Sequence, residues 1–473
     1  MSFDSLEYLA LLTTVFFLFW RLPGRVRIPL LVLASFFFYA SWNAPLLGLL
    51  LFSAAVDYSV ARGIAAAEAP RERKLWLALS LVANLGLLGF FKYADFIRGS
   101  LHALLPEAGW LAQPIGLTLP IGISFYTFQT MSYSIDVYRG HLKPTASFED
   151  FLLYVAFFPQ LVAGPIERAG HLLPQIQACK HSKLNTELFY SGLLLVTWGL
   201  MKKVVFADNL APLVDQVYAS PTDHDGARLL LATWAFAFQI FFDFSAYSDI
   251  ARGSAALLGI RLVRNFRLPY LAESASDLWR RWHISLSEWI RDYIYIPLGG
   301  ARRGRRRTLI NLALTMGLAG LWHGAAWHFV LWGLFHGVLL AAYRVLAKPA
   351  GRCFAPFPTG LMRFVRIALM FQFTCVGWVL FRAATTSDAL WILGELGRWL
   401  GSGAGGLVCD TQSTALVLLF AALFLVMFVE ERFDIFRRST SRPILYGILL
   451  AGCLLLMALF SREQAQEFIY FQF

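Results

Sequence analysis

Stretches of roughly twenty apolar residues, nearly free of charge, recur along this chain from one end to the other. A segment of that length can cross the hydrocarbon core of a bilayer as a helix, with every backbone N–H and C=O bonded inside the segment. Charged residues make up only 15% of the 473 positions and hydrophobic residues 58%. Soluble globular chains carry about 25% and 45–50%. A disordered chain, a coiled coil and an ordinary cytosolic protein are thereby excluded. The pattern predicts an all-α polytopic membrane protein.

The loops set the orientation. The opening MSFDSLEYLALLTTVFFLFWR puts its acidic residues before the apolar run and its arginines after it, the reverse of a secretory signal peptide. Residues 5–20 therefore read as a retained helix that starts outside, with Arg21, Arg25 and Arg27 holding the next loop inside. Further spans are expected near 28–42, 45–61, 75–91, 116–136, 187–201, 228–250, 308–323, 326–346, 361–381, 413–429 and 443–460. The piece FLLYVAFFPQLVAGP is short and ends in Gly164 and Pro165, which suits a re-entrant segment. About eleven transmembrane helices in a single membrane domain, 1–473, are expected. The Gly-rich loop 382–412 is too short to fold alone, and both termini, including an aromatic tail at 461–473, are predicted outside.

The net charge of +11 raises the question of nucleic acid. The basic residues, however, gather in short loops such as ARRGRRR, the positive-inside pattern, and point to anionic membrane lipid instead. Five cysteines, Cys179, Cys353, Cys375, Cys409 and Cys453, show no C-x-x-C spacing, so neither a disulfide framework nor a zinc site is expected. A thiol could still carry an acyl group.

Polar groups at membrane depth are costly and mark function. The strongest cluster is GLAGLWHGAAWHFVLWGLFHG, residues 317–337. His323 and His336 are each followed by a glycine that lets another backbone approach, and a neutral-pH imidazole can take and return a proton. A buried histidine bonded to a neighbouring helix explains the same residues. His323 and His328, five positions apart, stand about 140° apart around a helix and make no standard ligand pair, so no metal is expected.

In SDLWRRWHISLSEWIRDYIYIPLGG, residues 276–300, Trp279, Trp282, His283, Leu286, Trp289, Ile290 and Tyr293 recur at helical spacing, with Arg280, Arg281 and Arg291 towards the other side. An interfacial amphipathic helix fits this spacing. A sharper alternative turns His283 inward and lets Arg280 and Arg281 receive an anionic donor. In FFDFSAYSDIARG, residues 241–253, Asp243 and Asp249 could orient a histidine or a hydroxyl, or cap a broken helix.

RRWHISLS, then LWHG about forty residues on, then WGLFHG, resemble the membrane-bound O-acyltransferase family. LPIGISFYTFQTMSYSIDVYRG, FFPQLVAGPI and FFDFSAYSD are similar to its bacterial polysaccharide branch, which serves alginate or cellulose acetylation. The resemblance runs over nearly the whole chain. It implies helices bundled around a tunnel or funnel, with catalytic roles for His323 and His283; Trp322, His336, Asp243, Asp249, Arg280 and Arg281 are expected to support them or to position substrate. It implies no bound cofactor, an acetyl thioester such as acetyl-coenzyme A as donor substrate, and a periplasmic acceptor protein as partner at a bacterial inner membrane. The ending EFIYFQF reads on composition as an aromatic anchor. It also resembles the C-terminal motif of a small partner in teichoic-acid D-alanylation, and by that analogy Tyr470 would relay an acyl group. A polysaccharide transporter or a scaffold of a synthase complex would share the topology, but transporters commonly show repeated halves, and no repeat is visible here.

Overall fold

The structure is a computed structural model, and it describes residues 1–162, 164–353, 358–403, 411–433, 438–462 and 466–471. Cys409, the second half of the GSGAGG stretch and parts of the aromatic tail lie outside the described residues. Every regular element among the described residues is helical. Among the described residues, eight helical stretches are long and apolar enough to cross a membrane.

The expected segments at 28–42 and 45–61 form one stretch of 43 residues, because the turn at Ala44–Leu46 is itself helical. Three others are helices that fall outside the eight. Leu6–Arg21 and Ile123–Tyr138 have 16 residues each, and Gly304–His323 carries three arginines in its first turn. At 1.5 Å per residue, sixteen residues cover about 24 Å, short of a 30 Å hydrocarbon core.

The chain forms two compact units. The first comprises Met1–Leu200 and Tyr247–Arg264. Its opening helix starts where the Ser5 hydroxyl accepts the Tyr8 N–H at 3.1 Å. Its interior holds Asp57, fully buried, which accepts hydrogen bonds from Ser80, Ser134 and Asn84. Such bonds join apolar helices where no hydrophobic force between them exists. The re-entrant piece appears as a nine-residue helix, Phe148–Ala156, begun by Ser147, whose hydroxyl accepts the Asp150 N–H. Nine residues cover about 14 Å, half of what a crossing needs.

The second unit comprises Met201–Ala246 and Asn265–Phe473. Its centre is the hairpin of Gly304–His323 and Trp327–Cys353. Small residues let these helices touch backbone to backbone. A Cβ on Gly320 would stand 2.1 Å from the Phe329 carbonyl oxygen, and one on Gly333 would stand 2.1 Å from that of Met316. Gly337, flagged by the sequence, meets Ala313 in the same seam.

The segment 276–300 departs from a continuous amphipathic helix. It breaks into Ala275–Leu278 and Ile284–Ile290, because His283 adopts a left-handed φ of 40°. That conformation costs a residue with a Cβ about 1–2 kcal/mol, so neighbouring bonds must hold it. The Ile284 N–H donates to the Asn265 carbonyl at 2.9 Å, and the Ser285 hydroxyl to the Asn265 side chain at 2.6 Å. The Arg267 N–H donates to the Arg281 carbonyl just beyond.

Candidate active site

Five aromatic and imidazole rings of the second unit form a closed circuit. His323 lies at the last position of its helix, 3% exposed, with the Trp322 ring at 5.0 Å and Tyr470 at 5.7 Å between centroids. Tyr470 packs on Phe244 at 4.4 Å, and Phe244 lies 4.8 Å from His283. His283 reaches back to Trp322 at 6.0 Å. Trp332 and Phe381 close the far side of His323 at 4.9 and 5.5 Å.

Each ring arrives for a local reason. The hairpin seam fixes His323: its helix ends at Gly324, where a Cβ would fall 2.1 Å from the Phe329 ring. The left-handed turn swings the fully buried His283 inward, whereas a continuing helix would carry it on around its own surface. Burial pushes the His283 imidazole down to about 3, so at neutral pH it is uncharged. A neutral imidazole can donate one hydrogen bond and accept another.

Asp243 precedes Phe244 and is 3% exposed. One of its carboxylate oxygens lies 3.0 Å from the Lys203 ammonium, and the other accepts the Ile469 N–H at 2.7 Å. Asp243 therefore anchors the segment that carries Tyr470. Tyr470 itself is half-buried, and desolvation raises its phenol above the ordinary value. A base must take its proton before it can attack a carbonyl.

Other candidates stand apart from the circuit. His336 is buried behind it, against Trp332 at 4.9 Å and Trp279 at 5.2 Å. His328 contacts the Leu380 carbonyl at 3.1 Å. Asp249 belongs to the first unit and pairs with Arg252 at 2.9 Å. Arg281 bonds Asp277 at 3.0 Å and Glu431 at 3.2 Å, while Arg280 is largely exposed, 3.7 Å from Asp277. Cys179, Cys375 and Cys453 are buried free thiols.

Lys203 and its second carboxylate, Asp208, were missed from the sequence. The signal was present: Lys202 and Lys203 interrupt an apolar run that continues beyond them, and charges at that depth mark function. The helix also widens into a π turn there, Lys202–Ala207, a distortion common at functional sites.

The described residues thus form a helical protein with eight candidate membrane spans and two buried histidines packed among aromatic rings. Residues 137–386 match the membrane-bound O-acyltransferase family, and the chain belongs to that family. It is 42% identical over 398 residues to the probable alginate O-acetylase AlgI of Azotobacter vinelandii, covering 83% of this chain and 77% of that protein. Against the Pseudomonas aeruginosa AlgI the identity is 41% over 444 residues, covering 89% and 82%. Against the peptidoglycan O-acetyltransferase of Helicobacter pylori it is 37% over 389 residues, covering 77% and 72%. The chain is thus a membrane O-acetyltransferase.

Proposed function

We propose that this protein takes acetyl from a thioester donor on the cytoplasmic side of a bacterial inner membrane and loads it onto Tyr470. A partner on the opposite side then carries the acetyl to the hydroxyls of an exported polysaccharide. The observation that carries the reading is the contact of the Tyr470 ring with His323, with Phe244 also packed on Tyr470. The alginate O-acetylases among the relatives support a polysaccharide acceptor.

The chemistry follows from the groups present. His323 accepts the phenolic proton as the Tyr470 oxygen attacks the thioester carbonyl, and the C–S bond breaks. The imidazolium then returns the proton to the departing thiolate. His283, neutral, can donate to the oxyanion that forms between these steps, a role worth about a hundredfold or more in rate. An ordinary phenol, of pKa near 10, leaves almost as well as a thiol near 8.5, and although desolvation weakens the Tyr470 phenolate as a leaving group, an alkyl alkoxide in the same place would leave worse still. An aryl ester therefore retains much of the thioester's transfer potential, which an ordinary alkyl ester would lose. In the second half, an acceptor hydroxyl attacks the ester carbonyl as His323 takes its proton, the bond between the acyl carbon and the phenolic oxygen breaks, and the proton passes to that oxygen to restore the phenol. Arg280, at the exposed edge, suits an anionic portion of the donor such as a phosphate.

Tyr470→Phe tests the relay, because it keeps the ring and removes the attacking oxygen. Membranes given a labelled acetyl thioester should lose at least about a hundredfold of transfer to the acceptor in this variant. Transfer at the wild-type rate would remove Tyr470 from the reaction.

A further inference from the structure

Lys203 carries no role in the reaction described above, yet it is 1% exposed and lies beside the reacting groups in the chain's second unit. A lysine ammonium has three protons to donate and no acceptor. Here all three have partners. Lys203 Nζ lies 2.8 Å from an Asp208 carboxylate oxygen, 3.0 Å from an Asp243 carboxylate oxygen and 2.8 Å from the Gln466 carbonyl oxygen.

The third partner is the C-terminal segment. That segment is gripped twice, with the Gln466 carbonyl held by Lys203 and the Ile469 N–H held by Asp243. Between the two bonds the Phe468 side chain is 1% exposed, and Ile469 is 2% exposed. Tyr470 follows the second bond directly, so the grip fixes the backbone within one residue of the phenol.

We propose that Lys203, with Asp243, is a positioning clamp that seats the C-terminal segment and so sets the Tyr470 hydroxyl against His323. The cost of burying an ammonium with carboxylates argues for a specific task. Apolar residues of similar volume commonly stabilise a fold as well or better. The lysine head, however, has the three donors needed to bind a backbone carbonyl and two carboxylates at once, one of which takes a backbone N–H. Asp208 completes the arrangement by keeping the Lys203 head in place. The clamp rests on Tyr470 as acyl relay for its consequence, but not for its existence.

Two readouts separate these claims. Hydrogen exchange followed by mass spectrometry, on the full chain in lipid nanodiscs, reports the Ile469 N–H. Acetyl loading of the C-terminal peptide from acetyl-coenzyme A reports the chemistry. Lys203→Met should speed exchange in the peptide containing residues 466–471 by about tenfold or more, with the hairpin helices unchanged, and reduce loading by a similar factor. Lys203→Arg should restore much of both, since a guanidinium can still reach carboxylate and carbonyl. Asp243→Asn, nearly isosteric, cannot accept at both former carboxylate positions and should release the same peptide.

Wild-type exchange of the tail in both Lys203→Met and Asp243→Asn would overturn the clamp. So would equal loss of protection across the hairpin in both variants, which would make the cluster a structural support alone. Faster tail exchange in Lys203→Met, with Tyr470→Phe still fully active in transfer, would uphold the clamp and refute the relay.

Discussion

His283 and His323 have different surroundings, and the proposed reaction gives them different work. His283 is fully enclosed at a left-handed turn, and burial holds its imidazole neutral down to about pH 3. In the unfolded chain the same group protonates near pH 6.5. Below about pH 6.5 the unfolded state therefore binds a proton that the folded state refuses, and stability falls as pH drops from 6.5 towards 3. Thermal unfolding in detergent should show a lower midpoint at pH 5 than at pH 7.5. His283→Gln should reduce that difference, and an unchanged pH dependence in the variant would contradict the assignment. At this scale the sequence was informative where chemistry forces rare choices. His323, His283 and Tyr470 all stood out, and the structure brings them into one circuit with Trp322. Asp249 stood out for the same reasons as Asp243, but a position six residues along one helix took it to the other unit and to Arg252. Lys203 was overlooked because a span closed at 201 leaves it looking like an ordinary loop cation.

At the scale of elements, the hairpin that presents His323 depends on two glycines more than on its apolar surface. Gly320 and Gly333 face carbonyl oxygens at distances no side chain tolerates, whereas a Cβ on Gly317 would meet only the Leu334 side chain at 3.2 Å. Gly333→Val should therefore force the helices apart, destabilise the protein by about 1–3 kcal/mol or more and depress acetyl transfer. Gly317→Ala should remain folded and active. A differential scanning measurement beside a transfer assay reads both, and equal tolerance of the two changes would refute the close seam. The hairpin was legible because its apolar runs and its glycine spacing reinforce each other. The break at His283 was not. Aromatic residues recur at helical spacing across it, and periodicity reports which side chains share a face while φ at one residue leaves no trace in it. The contacts that hold the turn come from Asn265, eighteen residues upstream, beyond any local pattern.

For the whole molecule, the constraint was strongest at the coarsest level: repeated apolar runs allow little except a helical membrane protein. The number of crossings was harder to read. The runs 5–20 and 116–136 hold helices of only 16 residues, the second beginning at Ile123, while 28–42 and 45–61 join through a helical turn that hydropathy does not distinguish from a loop. Sidedness is the prediction that belongs here. In sealed vesicles, a cysteine placed in the exposed turn at 301–303 should react with an impermeant thiol reagent from the cytoplasmic face only. One replacing the exposed Glu467 should react from the opposite face. Labelling of both from one side would defeat a relay across the membrane. The central claim is narrower: His323 moves acetyl from a thioester to the phenol in contact with it. The measurement that meets it most directly is the mass of the C-terminal peptide after exposure of wild-type and His323→Ala membranes to isotopically labelled acetyl-coenzyme A. The account predicts a labelled acetyl on Tyr470 in the wild type and at least about a hundredfold less in the variant. Equal labelling of Tyr470 in both would show that His323 is not the base.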